Sequence, residues 1–169
     1  MTINKYIAAL ALALALFTAS SAHASLELDL KNTNTAYSDA NIHFMFYGGA
    51  LNATYAGGAL QEKKDYTLAQ LSGGVTINQY LGGIVYVSLG KALTESRSGE
   101  PSPYNSADSD YNTRWDRFEL TVTPSNPDVA DLTGINLFSI PLQLETSKGG
   151  VVSPNKLTYS VIGNELRKK

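Results

Sequence analysis

The chain has 169 residues, of which 43% are hydrophobic and 17% are charged, and it contains no cysteine. This composition is typical of one ordinary globular domain and disfavours a disordered or collagen-like chain. The formal net charge of -2 gives no cationic excess with which to neutralise a nucleic-acid backbone, so no nucleic-acid partner is expected. The lack of cysteine excludes a disulfide framework, a cysteine nucleophile and a cysteine zinc site.

The first 24 residues have the pattern of a secretory signal peptide. Lys5 precedes the apolar run 6–18, and small residues follow that end in Ala22-His23-Ala24, an A-x-A cleavage pattern. The run is shorter than the ~20 residues that a helix needs to cross a bilayer, which disfavours the alternative of a membrane anchor. We therefore expect cleavage before Ser25, a secreted or periplasmic protein, and no membrane span in residues 25–169.

Residues 25–169 are expected to form a single all-β domain. Several segments are short, rich in β-branched or aromatic residues and mostly alternating in polarity, namely 26–30, 42–47, 75–77, 84–89, 118–122, 135–144 and 157–162. Gly-Gly pairs that begin at positions 48, 57, 73, 82 and 149 are typical of turns, and the polar stretch 94–113 is predicted to be a long loop. No segment has the pattern of a long helix. The sequence therefore predicts an antiparallel β-sandwich or flattened barrel.

Histidine chemistry and metal binding have little support in the sequence. His43 is the only histidine after residue 24, and it lies in the alternating segment 42–47, where a side chain on one sheet face is favoured over a catalytic base. Asp108-Ser109-Asp110 has the oxygen spacing of a calcium loop, but the glycine and bidentate glutamate of an EF-hand do not follow. We expect no metal and no cofactor.

The predicted strand 115–123 carries a polar face. From position 118 its apolar residues occupy even positions, whereas Arg117, Glu119 and Thr121 occupy the opposite face. Two interpretations remain open for this face. It forms a functional site, or Glu119 and Arg117 form an ordinary surface ion pair.

Three blocks of sequence, in a fixed order, resemble a known enzyme family. They are residues 83–93 (GIVYVSLGKAL), residues 115–121 (WDRFELT) after a Pro- and Asn-rich loop, and residues 131–142 (DLTGINLFSIPL). This order is similar to that of the β-1,3-glucanases of glycoside hydrolase family 64, the laminaripentaose-producing enzymes, over about residues 41–169. The resemblance implies a β-sandwich or barrel related to thaumatin-like proteins. It also implies that the chain corresponds to the N-terminal part of a larger glucanase fold, with β-1,3-glucan as its partner.

The same resemblance implies two acids that hydrolyse the glycosidic bond with inversion, one in a Glu-x-Thr motif and one at the end of a Thr-x-x-Asp motif. Glu119-Leu120-Thr121 matches the first, which makes Glu119 the implied general acid and Thr121 a sugar-contacting hydroxyl. Thr133-Gly134-Ile135-Asn136 matches the second, with Thr133 as a further substrate contact, but Asn136 stands where the family has aspartate.

The asparagine matters because of the chemistry of inversion. An inverting glycosidase needs one protonated carboxyl and one ionised carboxylate, ~6.5 to 9.5 Å apart. An amide cannot accept the proton of the attacking water. We therefore expect hydrolysis to be weakened by the ~10² to 10⁴ typical of losing a general base, unless Asp116, Asp128 or Asp131 substitutes.

Three functions therefore remain open. The chain is a glucan hydrolase with an atypical base, a non-catalytic glucan-binding relative, or a secreted structural or interaction protein. Both glucan functions use the same surface. Four aromatic residues are candidate platforms for sugar rings, although each also fits core packing: Tyr86, Tyr104, Tyr111 and Trp115.

Overall fold

A computed structural model describes residues 25–33, 35–94, 99–125, 127–132, 139–147 and 151–152. The predicted signal peptide, the Gly-Gly pair at 149 and the predicted strand 157–162 lie outside these residues. The elements are β1 (Leu26–Leu28), a 3₁₀ turn (Asp39–Asn41), β2 (Ile42–Tyr47), β3 (Asn52–Tyr55), β4 (Gly58–Ala59), β5 (Asp65–Thr67), α1 (Leu68–Leu71), β6 (Val75–Leu89), β7 (Arg114–Val122), β8 (Val129–Asp131), β9 (Leu144–Glu145) and β10 (Val151–Val152). No helix within the described ranges is long and apolar enough to cross a membrane.

The long strand β6 organises the molecule. Its first half pairs with β1 and β3, and its second half pairs with β2 and β7. Strand β4 extends the first group beyond β3, whereas β5 and β8 extend the second group beyond β2 and β7. All of these pairings are antiparallel, as is the separate β9–β10 pair. The predicted all-β antiparallel fold class is confirmed.

The Gly82-Gly83 pair lies inside β6, so the turn predicted at this position is wrong. The pairing of β6 with β7 changes register between Tyr80 and Gly83, which makes the segment a β-bulge, and Gly82 has a φ of +62°. Glycine adopts this backbone conformation without steric cost, and a bulge bends and twists the strand that contains it. The glycine pair therefore lets one strand take part in both groups of strands.

Strand β6 contributes side chains to two hydrophobic clusters, which lie on opposite faces of the β2–β6–β7 sheet. Ile77 from the first half of β6 and Val85 from its second half are both buried in the main hydrophobic core, together with Phe46 of β2 and Phe118 of β7. A second, smaller cluster lies on the other face of the β2–β6–β7 sheet and consists of Met45, Tyr86, Leu93 and Trp115. We call this side the outer face. It carries the odd-numbered residues of β7.

The strand predicted over residues 135–144 does not form over most of the residues that the structure describes there. Residues 139–143 form no strand, and only Leu144–Glu145 is extended and paired; residues 135–138 lie outside the described ranges. The backbone N–H groups of Ser139 and Ile140 donate to the carboxylate of Asp116 at 2.9 and 3.1 Å instead of to a neighbouring strand. Pro141, which follows, has no N–H to offer a sheet.

Candidate functional site on the outer face of β7

Glu119 lies in the middle of β7 with its side chain on the outer face. Its direct cross-strand partners are Ile84 of β6 and Asp131 of β8. Directly opposed residues project to the same side of a sheet, so the carboxyl groups of Glu119 and Asp131 share this face. Glu119 is half-buried and Asp131 is exposed. Among the described residues no hydrogen bond or ion pair engages the Glu119 side chain, which leaves its carboxyl group available to a ligand.

The next pair on the outer face is Tyr86 opposite Arg117. Tyr86 is fully buried and packs edge-on against the rings of Tyr47 and Trp115, at centroid distances of 6.1 and 5.6 Å. Trp115 is also buried. These two candidate platforms are therefore packing residues, which is the alternative that the sequence left open.

The other two candidate platforms are exposed. Tyr104 is 73% exposed and Tyr111 is 43% exposed, and both lie in the loop between β6 and β7. Their rings can meet a ligand that approaches this loop.

Glu100, which comes from the same loop, lies over the Tyr86–Arg117 pair. The Tyr86 hydroxyl donates a hydrogen bond of 2.5 Å to Oε2 of Glu100, and Nη1 of Arg117 lies 3.6 Å from the same oxygen. Among the described residues Arg117 thus forms its ion pair with Glu100, whereas the ion-pair interpretation paired it with Glu119. Burial, reinforced by the nearby Glu100 charge, raises the pKa of Tyr86 above its usual range, so the phenol stays protonated and donates.

The sequence pattern around Glu100 assigns no role to this residue. It lies between Gly99 and Pro101 in a polar loop where no periodicity applies, and only its contacts with two strand residues distinguish it from its neighbours. No signal in the sequence could have found it.

The carboxylates of the calcium-like stretch hold the loop in shape. Asp110 is buried and accepts hydrogen bonds from the backbone N–H of Thr94 at 2.6 Å and from Nζ of Lys91 at 3.5 Å. Asp108 accepts from the N–H of Asp110 at 2.8 Å and from the N–H of Ser102 at 3.2 Å. These groups already have protein partners. The described residues contain no cluster of three or more metal-ligating side chains.

Of the other predicted site residues, only Thr121 falls within the described ranges. Its Oγ1 accepts a hydrogen bond from the backbone N–H of Gly82 at 3.1 Å, so the hydroxyl closes the bulge and keeps its own proton to donate. Thr133 and Asn136 lie outside the described residues. Their roles stay predictions.

Asp116 does not substitute for the missing base. It projects into the opposite side of the sheet from Glu119 and is 5% exposed. Its carboxylate accepts the N–H groups of Arg117 at 2.8 Å, Ser139 at 2.9 Å and Ile140 at 3.1 Å. Asp131, which shares the outer face, and the exposed Asp128 beside β8 remain from the aspartates that the sequence singled out.

His43 has a structural role. Its Nδ1 lies 3.0 Å from Oδ1 of Asp65, and its cross-strand partner is Ser88. This arrangement of Asp, His and Ser is not a catalytic triad, because Ser88 is 1% exposed and its hydroxyl donates to the carbonyl of Lys91 at 2.7 Å. His43 lies in strand β2, as the alternating segment 42–47 predicted.

Comparisons with known proteins point to one family. A family model described as Beta-1,3-glucanase, Glyco_hydro_64, matches residues 23–161. No curated protein sequence matches the chain. Three solved structures share its fold. One is a GH family 64 laminaripentaose-producing beta-1,3-glucanase from Paenibacillus barengoltzii, which is 15% identical with a TM-score of 0.65. The match covers 88% of this chain and 44% of that enzyme's chain.

The other two structures agree with the first. The Paenibacillus barengoltzii enzyme complexed with laminarihexaose is 16% identical with a TM-score of 0.66. The match covers 86% of this chain and 43% of that chain. A beta-1,3-glucanase domain (GH64) from Clostridium beijerinckii is 18% identical with a TM-score of 0.64. The match covers 86% of this chain and 49% of that chain. The chain thus spans less than half the length of each of these relatives.

Proposed function

Since the chain belongs to the β-1,3-glucanase family of glycoside hydrolase family 64, we propose that it binds β-1,3-glucan on the outer face of β7 and hydrolyses it slowly, with Glu119 as the general acid. The observation that carries this proposal is the state of Glu119. It is half-buried on a sheet face that the family match includes, and no side chain of the described residues neutralises it. One of the similar structures is complexed with laminarihexaose, which supports a β-1,3-glucan as the ligand.

In the proposed reaction Glu119 gives its proton to the glycosidic oxygen while water attacks the sugar from the opposite side. Thr121 keeps a hydroxyl proton that can donate to a sugar oxygen, because Gly82 occupies only an acceptor position of Oγ1. Thr133 is proposed as a further substrate contact. Asn136, at the position of the family's aspartate, orients the water but cannot take its proton. Unless another carboxylate takes that proton, the expected result is hydrolysis slowed by ~10² to 10⁴ relative to an enzyme with a complete acid pair.

We also propose that residues 1–24 are a signal peptide that is removed before Ser25, so that the protein works outside the cytoplasm, secreted or periplasmic, where β-1,3-glucan polymers are met. The N-terminal sequence of the exported protein tests this. A mature chain that begins at Ser25 supports it, and an exported chain that still begins at Met1 contradicts it.

A second candidate function is glucan binding without hydrolysis, and Asn136 is the observation that favours it. Product release from laminarin by the unmodified chain, Glu119→Gln and Asn136→Asp separates the two. For hydrolysis, Glu119→Gln abolishes product release without abolishing laminarin binding, and Asn136→Asp raises it. Glu145→Gln, an exposed glutamate on β9, is the matched control and leaves the rate unchanged.

The outcomes against each function are distinct. Laminarin binding with no hydrolysis in any variant supports the binding function alone. Hydrolysis that survives Glu119→Gln shows that Glu119 is not the acid. A chain that neither binds nor hydrolyses laminarin leaves the structural or interaction role.

A further inference from the structure

We propose that Glu100 is the general base of the Glu119 site, an inference that rests on the proposed glucanase function. The site has an acid but lacks the family's aspartate, and Glu100 is a carboxylate that the loop places over the same sheet face.

The register of the sheet places the anchoring point of Glu100 next to Glu119. Oε2 of Glu100 is bound by Tyr86 and Arg117, which form one pair, and Glu119 belongs to the next pair along the outer face. Arg117 and Glu119 are two residues apart on β7, and two residues along a strand advance by about 6.6 to 6.8 Å. Glu100 is therefore anchored one strand repeat away from Glu119, and an inverting site needs such an offset because a water molecule and a sugar carbon must fit between its two carboxyl groups.

The contacts of Glu100 suit a base and not an acid. The Tyr86 hydroxyl and the Arg117 guanidinium both approach Oε2, and both complement a negative charge on it. Within the described ranges Oε1 has no hydrogen-bond partner, and the Glu100 side chain is 44% exposed. Oε1 can therefore accept a proton from water. No described residue places a cation or donor on the carboxyl group of Glu119, which lies opposite the apolar Ile84, so the two glutamates have different surroundings.

Asp131 is the rival base, and its position fits less well. It lies directly across from Glu119, and directly opposed residues have Cβ atoms about 4.5 to 5.5 Å apart. Carboxyl groups on such closely spaced positions leave less room for an attacking water than the ~6.5 to 9.5 Å separation of an inverting site provides.

The proposed step is balanced. A water oxygen forms a bond to the anomeric carbon as the bond from that carbon to the glycosidic oxygen breaks. One water proton passes to Oε1 of Glu100, and the Glu119 proton passes to the leaving oxygen. Both glutamates regain their starting forms when a proton is exchanged through solvent.

The test uses β-laminaribiosyl fluoride beside laminarin, with the chain from Ser25 to Lys169. Fluoride leaves without protonation by an acid, so its release depends on the base but not on Glu119. We expect Glu100→Gln to lower kcat for the fluoride by ~10² or more with little change in KM. Glu119→Gln keeps the fluoride activity and loses laminarin hydrolysis. Glu145→Gln, at an exposed glutamate on β9, is the matched control and keeps both, and Asp131→Asn tests the rival base.

Azide distinguishes a base from a residue that only holds the loop in place. In Glu100→Ala the space left by the side chain admits azide, which attacks without a base, and the product is the α-configured laminaribiosyl azide. A loop that has merely lost its anchor does not regain activity in this way. Glu100→Asp, which keeps the charge on a shorter side chain, gives an intermediate rate.

Three results overturn the proposal, and the first two leave the proposed function standing. If Glu100→Gln releases fluoride at the rate of the unmodified chain while laminarin hydrolysis still depends on Glu119, the function stands and Glu100 is not the base. If Asp131→Asn loses the fluoride activity and regains it with azide, Asp131 is the base. If the unmodified chain hydrolyses neither substrate, both the catalytic function and the role of Glu100 are refuted.

Discussion

Glu119 of β7 and Asp131 of β8 are direct cross-strand partners, and both side chains project from the outer face. Like charges that oppose each other in this way destabilise a pair of strands. All three residues of β8 are exposed, so water screens much of the repulsion. The acidic face therefore lowers the stability of β8 pairing slightly, and a carboxyl group that none of the described residues neutralises is retained where a ligand can reach it.

The first prediction concerns this pair. Asp131→Asn should raise the free energy of unfolding by a few tenths of a kcal/mol at neutral pH, because it removes the like charge opposite Glu119. Urea unfolding at low ionic strength measures the change, which should shrink as salt screens the charges. Asp128→Asn, the exposed neighbour outside β8, should have a smaller effect. A loss of stability in Asp131→Asn would mean that Asp131 makes a favourable contact.

The elements that the sequence predicted well are those with one buried face. The predicted strand 42–47 matches β2, segments 75–77 and 84–89 lie within β6, and 118–122 lies within β7. In each of them the alternation of apolar and polar residues follows from burial against the main core. The outer position of Glu119 and Thr121 follows from the same alternation, so this part of the candidate site could be predicted from the sequence.

Other elements cannot be identified from the alternation of apolar and polar residues. Strands β3, β4 and β5 are two to four residues long, and β4 is exposed throughout, so no alternation identifies them. Helix α1 has only four residues and depends on the capping box of Thr67 and Gln70. The Gly82-Gly83 pair has the local signal of a turn, and only pairing on both sides makes it a bulge. Glu100 is placed by tertiary contacts alone.

A second prediction concerns the Tyr80 hydroxyl, which replaces regular strand pairing at the bulge. Tyr80 is fully buried, its hydroxyl accepts from the N–H of Tyr47 at 2.9 Å, and the carbonyl oxygens of Tyr47 and Ile84 lie within 3.0 Å of it. Tyr80→Phe should lower the free energy of unfolding by about 1 to 3 kcal/mol, because it leaves backbone groups unpaired. Thermal or urea unfolding measures the loss. Tyr37→Phe, at a tyrosine that is 39% exposed, is the control and should change little.

A third prediction tests the glycine that lies against the Tyr80 ring. A Cβ on Gly83 would lie within 1.9 to 2.3 Å of three ring carbons of Tyr80, and the fully buried ring has no room to move aside. Gly83→Ala should therefore destabilise the fold by about 1 to 3 kcal/mol or more. At Gly73 the nearest atom to an added Cβ is 3.8 Å away, so Gly73→Ala should be neutral or slightly stabilising. Equal stability of the two variants would contradict the packing described for the bulge.

The last prediction concerns alkaline unfolding. Burial raises the pKa of both Tyr80 and Tyr86 above the ordinary value of about 10, while the same phenols ionise near that value in the unfolded chain. Between the two values the folded state binds more protons than the unfolded state, so the free energy of unfolding falls as pH rises. Below about pH 10 both states are protonated, and these tyrosines make no difference to the pH dependence.

The loss can be assigned to particular side chains by comparing variants. The stability difference between the unmodified chain and Tyr80→Phe should be constant up to about pH 10 and should shrink above it, because phenylalanine cannot ionise in the unfolded chain. Tyr86→Phe should behave in the same way. Urea unfolding at a series of pH values from about 8 to 11 measures both. A difference that stays constant across this range would show that the two buried phenols ionise as readily in the folded protein as in the unfolded chain.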